Sequence, residues 1–94
     1  MNIETIEACI EKMHDTFDRT DLEVESKKIK QKLEEARYNT GAVKPLADCI
    51  FSLLMAARSR GYKASAVMDS LSSVAEDNIN KKWKKMPDDT YRAI

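Results

Sequence analysis

Apolar residues recur along this chain at intervals of three and four, the spacing that gathers side chains on one face of an α-helix. Ile3, Ile6, Ile10, Met13 and Phe17 share such a face and predict a first helix from about Ile3 to Asp18. Asn2 is suited to cap it, and Glu4 and Glu7 stand near the positive end of its dipole. Leu22, Ile29, Leu33 and Ala36 form a narrower stripe in a charged stretch, predicting a second helix from about Asp21, a suitable N-cap, to Tyr38. Asn39-Thr40-Gly41 then tolerates the left-handed backbone that ends helices. A third helix is expected from Val43–Pro45, since proline suits a first turn where its missing N–H would go unpaired. From Leu46 to Ala57 this helix is apolar on most sides, which marks it as the central element covered by several neighbours. It ends on Arg58 and Arg60, cations at the negative end of the dipole, followed by Gly61 as a cap. Val67, Met68, Leu71, Val74, Ala75, Ile79 and Trp83 predict a fourth helix from about Ala64 to Trp83, closed by Pro87 and Asp88-Asp89, with Thr90–Ile94 as a short tail. There is no alternating β-type run and no internal repeat. The pattern therefore describes an all-α protein: a four-helix bundle in a single domain spanning residues 1–94.

A chain of 94 residues buries a modest share of its surface, so its stability margin is thin. Disulfides or oligomerisation are the usual remedies. The two cysteines are far apart: Cys9 lies near the apolar face of the first helix and Cys49 in a buried-looking run. Met1–Ile10 is interrupted by Glu4 and Glu7 and is no secretory h-region. Both cysteines are therefore expected as reduced core thiols in a cytoplasmic protein. His14 has no partner at zinc-ligand or catalytic spacing and is expected on the surface. The third helix carries more apolar surface than three short neighbours can cover, so a homodimer or higher oligomer is expected. No membrane partner is expected, because the longest apolar block, Ala47–Ala57, is broken by Asp48 and Ser52.

The net charge is zero but unevenly spread. Glu4, Glu7, Glu11, Asp15, Asp18, Asp21, Glu23 and Glu25 make the N-terminal quarter acidic, while Lys81, Lys82, Lys84, Lys85 and Arg92 make the C-terminal stretch basic. Such ends attract each other, or the matching end of a second subunit. Nucleic acid is not expected as a partner: the lysine run is dipole-favoured at a helix C-terminus, and no nucleic-acid-binding motif is recognised. Asp48 is the one acid inside the apolar third helix. A buried carboxylate needs a partner, so it is either a structural ion pair or cap, or a ligand-binding group.

The run Ala47-Asp48-Cys49-Ile50-Phe51-Ser52-Leu53-Leu54-Met55-Ala56-Ala57-Arg58-Ser59-Arg60-Gly61, together with Asn78-x-x-Lys81-x-Trp83 and Pro87-Asp88-Asp89-Thr90-Tyr91-Arg92, resembles the MazG-like branch of the all-α nucleoside triphosphate pyrophosphohydrolases. The likeness is to short phage and bacterial members related to dATP/dGTP diphosphohydrolases, and it covers roughly Lys32 to Arg92. It implies a bundle that subunits share, with acids from two neighbouring helices holding Mg²⁺ on a triphosphate that is cut between its α and β phosphates. Hard oxygen ligands in an octahedron suit Mg²⁺, and the metal neutralises the developing phosphate charge. The family's acid pairs are Glu-x-x-Glu and Glu-x-x-Asp, with a further Asp beyond. Here the second pair reads Pro45-Leu46-Ala47-Asp48, and the first reads Lys32-Leu33-Glu34-Glu35 or Glu35-Ala36-Arg37-Tyr38, keeping Glu35 in either register with Glu34 adjacent. The further Asp falls at Met55, and a lysine in the cage adds a cation where the metal should sit. The metal ligands implied are thus Glu35 and Asp48, with Glu34 as a third candidate. Asn78, Lys81, Trp83 and Arg58 are the implied nucleotide contacts. Plain readings stand beside them: Arg58 as a partner for acids of the first helix, Trp83 as a seal on the end of the core or a subunit interface, and Asn78 and Lys81 as surface residues.

Two functions follow from the resemblance. One is a non-catalytic or impaired relative that binds a nucleotide or a protein partner and has no cofactor. The other is an active Mg²⁺-dependent pyrophosphohydrolase that releases a nucleoside monophosphate and pyrophosphate.

Overall fold

The computed structural model describes residues 2–94 and contains four helices and a small hairpin: α1 (Ile3–Thr16), α2 (Leu22–Tyr38), α3 (Lys44–Ser59), α4 (Ala64–Asn80), β1 (Trp83–Lys85) and β2 (Tyr91–Ala93). The expected all-α class and the four helices are present. Each helix end has a local cause. Asn2 accepts the Thr5 N–H at 3.0 Å and starts α1. Asp21 accepts the Val24 N–H at 3.1 Å and starts α2. Pro45 lies in the first turn of α3. At the far end of α3 the Tyr62 N–H donates to the Ala57 carbonyl and the Gly61 N–H to that of Arg58. This paired closure needs a left-handed residue, and Gly61 supplies it with φ +89°.

α4 has no capping side chain of its own at Lys63. Its exposed first-turn donor at Ser65 is met instead by Glu7 of α1, 2.8 Å away. A carboxylate at this end also faces the positive pole of the helix dipole. Glu7 thus joins α1 to α4 by hydrogen bonding as well as by packing.

α3 is the hub. It packs along α2 on one side and against α1 and the start of α4 on another, while the backbone of α2 stays away from those of α1 and α4. Pro45, Cys49, Ser52 and Ala56 bury the side toward α2, with the Cys49 thiol 3.7 Å from the Ile29 carbonyl. The apolar core joins Ile10, Leu54, Met55 and Ala64, with Ile3, Ile6, Met13, Phe51 and Val67 packed around them. The third side of α3 is bare: Leu46, Ile50 and Leu53, at helical spacing, are between 49% and 59% exposed.

The C-terminal region departs from expectation. The fourth helix stops at Asn80 rather than Trp83, and the stretch expected as a tail pairs with it as an antiparallel hairpin, Trp83 opposite Ala93 and Lys85 opposite Tyr91. The cause is the loop chemistry of Pro87-Asp88-Asp89. The Asp89 N–H donates to the Met86 carbonyl at 3.0 Å, which closes a β-turn with proline at its favoured second position. Asp89 then takes the left-handed conformation, φ 68°, that a three-residue hairpin loop requires.

Three smaller expectations are also corrected. α1 ends at Thr16, two residues early, because Phe17 turns to extended backbone. Cys9 is exposed rather than buried, since it sits at the edge of the α1 stripe next to the uncovered side of α3. His14 is half-buried, not free on the surface; its Nδ1 is 3.2 Å from the hydroxyl of buried Thr20, brought back over it by the α1–α2 connection.

Truncating Met55, 1% exposed, to alanine is expected to cost about 2–5 kcal/mol in denaturant unfolding through the cavity it leaves. Asp89→Gly relieves a left-handed strain of about 1 kcal/mol and is expected to strengthen the cross-strand NMR contacts between Lys85 and Tyr91.

Candidate functional site

Glu35 lies on the last turns of α2 and Asp48 on the second turn of α3, and the antiparallel packing of these helices brings the two together. What joins them is an ammonium group. Lys32, one turn before Glu35, places Nζ 3.3 Å from Glu35 Oε2 and 3.6 Å from Asp48 Oδ2. Lys44 adds a second cation, its Nζ 3.3 Å from the same Asp48 oxygen. The four charges alternate in sign across the α2–α3 seam and cancel. The acid inside α3 is thus an ion-paired residue, one of its two readings from sequence. Glu34 points to another side of α2, where its nearest guanidinium contact is Arg37 at 4.0 Å.

The ammonium responds to this setting. Its hydrogen bond to Glu35 and the charge of Glu35 push the Lys32 pKa above the ordinary 10.5, aided by Asp48 and opposed by partial desolvation. A raised lysine pKa stabilises the fold at all pH below the unfolded value and is lost only as pH rises through the folded one. Lys32 therefore stays charged throughout the neutral range.

The residues do not fit a magnesium cage. Mg²⁺ requires six oxygen ligands at short range, and here two carboxylates converge on a cation that the chain itself supplies. Among the described residues, no group of three or more His, Cys, Asp or Glu side chains is arranged to hold a metal ion.

Compared with protein-family models, curated proteins and solved structures, the chain matches none.

The four residues implied as nucleotide contacts do not gather around Glu35 and Asp48. Arg58 stands near the opposite end of α3, where its guanidinium donates to both oxygens of Glu11, Nη2 to Oε2 at 3.1 Å. Ten residues along a helix is about 15 Å from Asp48. Asn78, Lys81 and Trp83 sit together at the far end of α4, whose backbone does not approach that of α2. There the Trp83 indole N–H donates to the Asn78 carbonyl at 3.1 Å, satisfying one of the free carbonyls of the helix end. Lys81 closes the same end through its backbone N–H, bonded to the Asp77 carbonyl.

Sequence reasoning names neither Glu7 nor Glu25 as a structural acid, and it offers acids of the first helix as partners for Arg58 without singling out Glu11. Glu7 and Glu11 act across 58 and 47 residues of chain, so no local pattern announces them. Glu25 is buried in the first turns of α2; its Oε2 makes no hydrogen bond and lies 3.4 Å from the Lys28 ammonium. Its neighbourhood of charged residues, Glu23 to Lys28, reads as a solvated helix face and gave no signal of burial.

The hydrogen bond from Ser65 holds the Glu7 carboxyl below its ordinary 4.5, and the hydrogen bond from Arg58 does the same for Glu11. Lowered carboxyl pKa values stabilise the fold above the unfolded value, and that contribution disappears as pH falls through the folded one. A Glu7→Gln, Glu11→Gln double variant is therefore expected to be less stable than wild type at neutral pH, with the difference closing in acid. Denaturant melts at both pH values check this.

Proposed function

We propose that the chain is a MazG-like helical bundle in which the Lys32 ammonium stands where the family would hold its metal, and that it works by binding rather than by hydrolysis. The observation that carries this reading is the Lys32 Nζ lying within 3.6 Å of both Glu35 and Asp48. A fixed positive charge between two carboxylates supplies the neutralisation a metal would give, but offers no open coordination position for a triphosphate or a water. The bundle is kept and its metal chemistry replaced. Folds are commonly retained when their sites change.

The partner in this reading is a protein before a nucleotide. Arg58, the cation best suited to phosphate, is tied to Glu11, and Asn78, Lys81 and Trp83 are gathered at the far tip of α4. The first protein partner is a second copy of the chain. Among the described residues, no helix is long and apolar enough to cross a membrane. A cytoplasmic setting, with Cys9 and Cys49 as free thiols, belongs to the same proposal.

One observation favours the alternative, an active Mg²⁺-dependent pyrophosphohydrolase: Glu35 and Asp48 do face each other across neighbouring helices, as the resemblance requires. The two readings separate in one assay. Purified protein incubated with each NTP and dNTP plus Mg²⁺ or Mn²⁺ is expected to release no pyrophosphate. Release that disappears in Glu35→Ala and Asp48→Ala would establish the hydrolase instead. Lys32→Glu exchanges the cation for a third carboxylate and is expected to raise Mn²⁺ affinity about tenfold or more in a spin-resonance titration. An unchanged affinity would mean that the lysine is not what keeps the metal out.

A further inference from the structure

The chain exposes more surface than a monomer of its mass should. Its accessible area is 7497 Å², whereas the scaling for monomeric proteins gives about 5,500 Å² at 10.7 kDa. Its radius of gyration is 15.5 Å, against about 12 Å for a compact domain of this length. The excess is close to 2,000 Å², within the range that obligate homodimer interfaces bury.

Two regions hold that excess. On the body, the bare side of α3 continues into a trough between α1 and α3 of about 390 Å³, lined by Ile6, Cys9, Ile50, Phe51 and Leu54 and almost wholly apolar. A second hollow shares Ile6, Ile50 and Leu54 with it and runs on to Met68 of α4. Beyond the body, α4 projects. Every residue from Met68 to Asn80 is exposed, including Leu71, Val74 and Ile79. This half-helix contains Ser70, Ser72, Ser73, Asn78 and Asn80, all poor helix formers. A stretch this short is marginal in water without a surface to pack on.

The area itself indicates what covers that surface. An excess close to 2,000 Å² on each copy is what a stable homodimer buries. One chain holds both an apolar rod and an apolar trough, while the acids Glu4, Glu7 and Glu11 lie on another side of α1, beside Arg58 and Lys63. Two apolar surfaces of this kind on one chain suit an isologous two-fold dimer, in which each copy gives and receives the same contact.

We infer that a second copy of this chain occupies the trough: the exposed side of α4 from each copy lies across Ile50 and the α1–α3 groove of the other. The inference rests on the self-association reading above and names its surface. The rod and the trough are then used in pairs.

Sedimentation across a concentration series tests it, with Ile50→Glu on the trough and a Leu71→Glu, Val74→Glu variant on the rod. All three positions are about half exposed, so the fold of one copy survives; helical circular dichroism checks this. The expected result is a two-chain mass for wild type and, for each variant, association weakened about a hundredfold or more, since each places charge in an apolar contact. Wild-type protein gives a second readout: the exposed Cys9 thiol on the trough is expected to react more slowly with a maleimide as concentration rises, and Cys9 of Ile50→Glu is not. A two-chain mass that both variants leave unchanged, with Cys9 equally reactive throughout, overturns this surface while leaving self-association standing. A one-chain mass for wild type at every concentration overturns both.

Discussion

The girth of α3 constrains everything else in this molecule. A helix apolar on most sides needs cover on most sides, and the chain provides it on two. α2 takes the side of Pro45, Cys49, Ser52 and Ala56, and α1 with the start of α4 takes the side of Leu54 and Met55. The remaining stripe of Leu46, Ile50 and Leu53 is left about half exposed. From this imbalance follow the small core, the projecting α4, and an accessible surface beyond what a lone domain of this size should show.

Ionic contacts do the aligning that packing leaves undone. α2 packs along α3, and Lys32 bridges that seam to Asp48, which Lys44 also holds from within α3. α1 is joined to the rest through Glu7 at the head of α4 and Glu11 on Arg58. The contacts of Lys32 with Asp48, of Glu7 with Ser65 and of Glu11 with Arg58 each tie a helix to one laid down elsewhere in the chain. The acidic first helix, which looks in isolation like a solvated face, spends two of its carboxylates on internal alignment.

The helices were legible because their signals are local. Asn2 and Asp21 cap where their side chains predict, Pro45 opens α3, and Gly61 closes it with the conformation only glycine takes freely. The hairpin was not legible because its strands are three residues long and Lys81 to Lys85 reads as a charged helix end. The turn residues Pro87-Asp88-Asp89 held the signal, but they were read as a stop rather than as a link between Trp83 and Tyr91. At the site, Glu35 and Asp48 lie together, and Lys32, which stands at a family acid position in one register of the first pair, lies between them; that it reaches Asp48 as well as Glu35 depends on the packing of α2 on α3. Arg58 pairs with an acid of α1, one of its two readings, but which acid takes it, 47 residues away, is set by packing and leaves no trace in a local motif.

Whether the bare side of α3 is covered by a second copy is read most directly by amide hydrogen exchange of α4. In a lone chain the half-helix from Met68 to Asn80 has nothing to hold it and exchanges almost as fast as unfolded backbone. Seated on another copy, the same amides become protected as protein concentration rises, together with those around Ile50. That concentration dependence is the predicted result. Equal exchange at all concentrations, with α4 unprotected or protected throughout, would contradict the account.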